Sequence, residues 1–202
     1  GQRISYTVEE VEIDGYTTEI TESAEEGFII TNTRSGETEV FVEKVWKGEP
    51  AESVTINLLA NGEKIVHVQL NAGNDWQHTF EPLQAFDEEG QPIDYMIEEV
   101  AIDGYESTIT GTAEEGFTVT NLRVGKVDIP VEKVWKGEVA GPVTIHLLAN
   151  GEIDKTIELS EDNDWRFVFT ELEEFDLEGQ PIEYSVEEVA IDGYESTISG
   201  SI

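Results

Sequence analysis

The chain repeats itself every 89 residues without insertion or deletion, and nothing else in it constrains the fold as strongly. Lys44 and Lys133 keep this spacing, as do Trp76 and Trp165, and Tyr95 and Tyr184. Tyr6 with Tyr95 and Asn32 with Asn121 continue it. Solenoid units run roughly 20–50 residues, so this period matches a small autonomous domain instead. Residues 36–124 read as one complete unit. Residues 1–35 are the C-terminal part of a preceding unit, because Gly1-Gln2 aligns with Gly90-Gln91. Residues 125–202 are a third unit that stops at Ile202, aligned with Ala113, short of the counterpart of the final strand. The expected organisation is a complete domain flanked by two incomplete ones, a fragment of something longer.

Within the complete unit nearly every segment reads as a strand. Residues 40–46 come first, then an alternating run with Val54, Ile56 and Leu58. Asn61-Gly62 is a two-residue hairpin signal, and residues 65–70 return from it. Asn74-Asp75 turns the chain into a strand over 76–80, residues 82–86 read as irregular, and 87–92 as a polar turn. Residues 93–100, 105–109 and 117–121 complete the set, separated by Asp103-Gly104 and Glu114-Glu115-Gly116. About seven short strands punctuated by Gly, Asn and Asp predict an all-β sandwich. The short joints at 34–38 and 123–126 predict a stiff string of such sandwiches.

Composition narrows the function classes. With 45 acidic against 11 basic residues the formal charge is −34, spread along the chain. Such a surface repels nucleic acid and anionic lipid. No run approaches the roughly 20 apolar residues of a membrane span. There is no cysteine, so neither a disulfide nor thiol chemistry is available. No signal peptide or anchor motif is present in this stretch.

Against that background one residue is out of place. Period two along the first strand puts Val42, Lys44 and Trp46 on one face, so a lysine takes core phase. An unpaired buried ammonium costs several kcal/mol or gives up its proton. Two further polar residues share the phase: Glu99 follows Tyr95 and Ile97, and Asn121 follows Phe117 and Val119. The incomplete units carry Glu10 and Asn32 in the first, Lys133 and Glu188 in the third. A desolvated lysine is a nucleophile, an Asn side chain is an acyl group, and a protonated Glu polarises the amide and shuttles protons. Together they predict a Lys–Asn isopeptide bond; a buried salt bridge with a hydrogen-bonded Asn is the plainer alternative.

The ordered motifs Lys44-Val45-Trp46, Leu58-Leu59-Ala60-Asn61-Gly62, Tyr95-Met96-Ile97-Glu98-Glu99, Gly104-Tyr105 and Phe117-Thr118-Val119-Thr120-Asn121 resemble the Cna B-type domain. This is the collagen-adhesin B-repeat of Gram-positive surface proteins and pilins. The resemblance implies tandem transthyretin-like (reverse immunoglobulin) β-sandwich domains at the cell wall surface. It also implies an autocatalytic bond between Lys44 and Asn121, promoted by Glu99. The family's loop after the Lys-Val-Trp run is usually longer and rich in Asp and Asn; here it is Lys47-Gly48-Glu49-Pro50.

The expected role is a structural stalk or spacer, with no cofactor and no external substrate; an adhesin domain binding host matrix or glycan directly is the alternative. Trp46, Trp76, Trp135 and Trp165 read as core or as shields for the lysine rather than as sugar platforms. Asp87-Glu88-Glu89 and Glu114-Glu115 lack EF-hand spacing and read as solvated turns. His67, His78 and His146 do not recur between units, which argues against a shared metal or catalytic histidine. The expected partners are neighbouring repeats. A second expectation is head-to-tail complementation, in which residues 24–35 of one chain complete residues 125–202 of another and Lys133 meets Asn32.

Overall fold

A computed structural model describes residues 4–23 and 27–200. In chain order the strands are β1 (Tyr16–Ser23), β2 (Gly27–Arg34), β3 (Glu37–Lys47), β4 (Val54–Ala60) and β5 (Glu63–Leu70). They continue as β6 (Gln77–Gln84), β7 (Tyr95–Glu99), β8 (Tyr105–Thr112), β9 (Gly116–Arg123) and β10 (Lys126–Glu132). The last are β11 (Val143–Ala149), β12 (Glu152–Leu159), β13 (Arg166–Glu173) and β14 (Tyr184–Glu188). Two single 3-10 turns, Ala72–Asn74 and Glu161–Asn163, are the helical elements among the described residues. The all-β expectation holds. By packing, the chain divides into two compact units. One comprises Gly1–Val45, Ala51–Ile102 and Ser107–Thr120; the other comprises Trp46–Pro50, Asp103–Glu106 and Asn121–Ile202.

The complete repeat folds as two sheets, ordered β6-β3-β9-β8 and β5-β4-β7. Each sheet turns one face inward. Val40 and Val42 of β3 and Phe117 and Val119 of β9 are buried from one side; Val54, Ile56, Leu58, Tyr95 and Ile97 are buried from the other. This is the alternation of a sandwich, and each such aliphatic side chain stabilises it by roughly 1.5–3 kcal/mol. The β4–β5 hairpin closes on Asn61 and Gly62 at φ of 49° and 84°, the primed turn that Asn-Gly favours.

Two local readings change. Residues 82–84, read as irregular, belong to β6. Proline is tolerated there because β6 is an edge strand and residue 82 falls where its register with β3 shifts, between Thr38 and Val40. Trp76, read as the start of a strand, instead sits at φ 60° after Asp75 at φ 54°, closing the 3-10 turn. The equivalent Asp164 and Trp165 repeat this pair at 52° and 58°.

The last repeat builds the same layers as β10-β13 and β12-β11-β14. Ile129, Leu147, Phe169 and Leu172 form one cluster, and Val143, Ile145 and Leu159 another. Val131 and Val186 are only partly buried, whereas their equivalents Val42 and Ile97 are buried. The reason is topological: among the described residues β10 pairs with β13 alone, while β3 lies between β6 and β9. At the other end β1 and β2 form a hairpin in which Thr18 faces Asn32. Residues 24–26, part of the segment expected to complement another chain, lie outside the described residues.

Candidate cross-linking site

Lys44 is held from both sides of its strand. Its backbone N–H donates to the Trp76 carbonyl at 2.8 Å, so the left-handed Asp75-Trp76 pair aims a carbonyl at β3. The side chain is then directed inward, with no exposed surface of its own. Its Nζ donates to the carbonyls of Val119 at 3.2 Å and Val45 at 3.1 Å. Glu99 Oε2 lies 3.5 Å from the ammonium on a side chain that is 3% exposed. The β4–β7 register places Glu99 opposite Ile56, one of the most buried residues of the fold. Burial pulls the Lys44 amine down from 10.5 to about 8, and the charge and hydrogen bond of Glu99 oppose that shift. Roughly a tenth of such amines are neutral at pH 7.

Asn121 is completely buried on β9, in phase with Phe117 and Val119. β9 is the sheet neighbour of β3, and Asn121 stands two residues beyond the carbonyl that receives Lys44. All three polar residues read in core phase therefore lie in the core. Lys44 and Glu99 form a close pair, and Asn121 is buried on the adjoining strand.

The partial units separate the same parts. In the last repeat Lys133 Nζ lies 2.7 Å from Glu188 Oε2 and 4.6 Å from the centroid of the Trp135 ring. This pair faces a cleft of about 500 Å³ lined also by Val131, Ile145, Leu159 and Val186. In the first repeat Asn32 Nδ2 donates to Glu10 Oε1 at 3.0 Å. The Thr18 hydroxyl stands 2.9 Å from Glu10 Oε2 and 2.8 Å from Asn32 Oδ1, with Thr18 and Asn32 exposed and Glu10 half-buried.

Thr18 and the Trp76 carbonyl escaped the sequence reading. So did Asn57, which is 5% exposed and donates to Glu98 Oε2 at 3.1 Å. Its position between Ile56 and Leu58 marked it as outward-facing, and only the cross-strand acid explains its burial. The acidic turn reads as expected: Asp87 Oδ1 accepts the amides of Glu89 and Gln91 at 3.1 and 2.7 Å. Among the described residues no cluster of three His, Asp or Glu side chains suits a metal ion.

Residues 1–33, 40–122 and 129–202 match the Cna protein B-type domain. The whole chain is 32% identical over 218 residues to a collagen adhesin of Staphylococcus aureus, of which it spans 18%. Among solved structures, two B repeat units of the S. aureus collagen-binding protein align at 30% identity with a TM-score of 0.43. That alignment covers 94% of this chain and 53% of the other. A pilus adhesin, SpaC of Lactobacillus rhamnosus GG, aligns at 15% identity with a TM-score of 0.40, over 87% of this chain and 23% of its own. A strand-borne lysine beside a buried acid, set in a unit that recurs at 89 residues and matches the family three times over, leaves one conclusion: the chain belongs to the Cna protein B-type domain family.

Proposed function

We propose that the chain is a structural stalk or spacer segment of a cell-surface protein, and that its complete repeat is stapled by an isopeptide bond between Lys44 and Asn121. Cna B-type domains are non-enzymatic structural modules of surface proteins. Among the described residues no helix is long and apolar enough to cross a membrane. The observation that carries the bond is the water-excluded lysine 3.5 Å from a buried acid.

The chemistry follows from these groups. Neutral Lys44 Nζ attacks Asn121 Cγ, forming the new C–N bond; the Cγ–Nδ2 bond breaks and Nδ2 leaves as ammonia. The Glu99 carboxyl relays one proton from the attacking Nζ to the leaving nitrogen. Each domain reacts once, and the buried charge disappears with the bond. Intact mass spectrometry tests this: the expected mass is lower than the sequence mass by one ammonia, and an unreduced mass refutes the bond.

The separated parts favour a second reading for the chain ends. In the complete repeat, β9 lies beside β3 with β8 beyond it; β1 and β2 are the same hairpin one period earlier, and among the described residues β10 offers the matching open edge. We propose that residues 24–35 of one copy, of which 27–34 form β2, add to residues 125–202 of another and bring Asn32 to Lys133. Covalent ladders on denaturing gels are the expected result, and monomer bands alone reject the covalent form.

A further inference from the structure

The short loop after the lysine strand is left unused by the cross-link, and it has a partner. Lys47 Nζ donates to the Leu177 carbonyl at 3.3 Å and to Glu178 Oε1 at 3.2 Å. A Cβ placed on Gly48 would lie 2.6 Å from the Gly179 carbonyl oxygen and 2.9 Å from Arg123 Cβ. A Cβ on Gly179 would collide with the Lys47 carbonyl. The two backbones touch with no room for a side chain on either. Beside them the Arg123 guanidinium lies 5.1 Å from the centre of the Phe175 ring and 5.6 Å from that of Tyr105. Arg123 donates to the Tyr105 hydroxyl at 3.1 Å, and that hydroxyl donates to the Glu49 carbonyl.

The arrangement is built twice. One period earlier Arg34 lies over Phe86 at 4.5 Å. The Gly36 carbonyl accepts Ala85 N–H at 2.9 Å, as the Gly125 carbonyl accepts Glu174 N–H at 3.0 Å. A Cβ on Gly90 would stand 3.2 Å from Arg34 N. The arginine–aromatic contact and the adjoining glycine carbonyl bond thus recur one period apart, which marks a built surface.

We propose that Phe175 and the turn 176–179 form a docking surface whose partner is the Lys47-Gly48 corner and Arg123 of the preceding repeat. Phe86 and the turn 87–90 serve Arg34 in the same way. The proposal stands on these contacts and is independent of any isopeptide bond.

Gly48 and Gly137 are equivalent positions at φ of 98° and 108°, so alanine strains the backbone at both. Only Gly48 has a neighbour; around Gly137 a Cβ meets nothing within 4 Å. Hydrogen exchange in the 202-residue chain therefore separates docking from strain. Gly48→Ala is expected to speed exchange of the amides at 176–180 by roughly tenfold, through easier local opening, while Gly137→Ala leaves them unchanged. Arg123→Gln, which adds no backbone strain, is expected to act in the same direction as Gly48→Ala. Unchanged exchange at 176–180 in Arg123→Gln, or equal exchange there in the two alanine variants, overturns the proposal.

Discussion

A lysine side chain shut away from water, as Lys44 is, weakens the fold for as long as it carries a proton. Its folded value near 8 lies below the unfolded 10.5, so between these values the unfolded chain binds more protons and stability rises with pH. In Asn121→Ala, which removes the acyl partner, the unfolding free energy from urea curves is expected to rise from pH 8 to pH 10.5, by on the order of 3 kcal/mol in all. The penalty is fully present below pH 8. With Lys44 acylated as proposed, the parent is expected to lack this rise, and parallel curves for the two proteins contradict the bonded state. Glu99 is tested separately: Glu99→Ala is expected to keep the full sequence mass, because the proton relay is gone while both bond partners remain. A mass lower by one ammonia in that variant assigns the relay elsewhere. That Lys44 and Glu99 take core phase was legible from strand alternation alone. The anchor of Lys44 on Trp76 was not, because a tryptophan at φ 60° has no signature of its own.

At the scale of elements, the difference between β3 and β10 matters most. Their sequences are close relatives, yet β3 is an interior strand and β10 an edge. Backbone amides of β10 on the side away from β13 are expected to exchange much faster than the equivalent amides of β3, since no ladder bond protects them. If the two strands are equally protected in dilute monomer, some other segment covers β10. Packing can be tested in β4, where Leu58 is fully buried; Leu58→Ala is expected to cost about 2–5 kcal/mol by denaturant unfolding. The strand set itself was readable from alternation and turn residues. The extension of β6 through Pro82 was not, because whether a strand is an edge is a property of the sheet.

For the whole molecule, charge and the proposed staple pull in opposite directions. A net charge of −34 repels itself across a chain of 202 residues. Thermal midpoints are accordingly expected to rise as salt increases from 10 to about 150 mM, where the screening length falls to roughly 8 Å. The proposed bond, by closing the chain from residue 44 to residue 121, would contribute about 4–5 kcal/mol by restricting the unfolded state, a large share of the roughly 5–15 kcal/mol that stabilises ordinary domains. The sequence by itself determined the period, the all-β class and the placing of Lys44, Glu99 and Asn121 in core phase, because strand periodicity and repetition are one-dimensional properties. Only the tertiary structure decided that Lys44 meets Glu99 at 3.5 Å and that Glu99 lies across the sheet from Ile56. The same holds for the lysine of the last repeat, which faces an open cleft. Burial and pairing depend on which strands become neighbours, and in this chain identical phases on β3 and β10 lead to different surroundings because only β3 has β9 beside it.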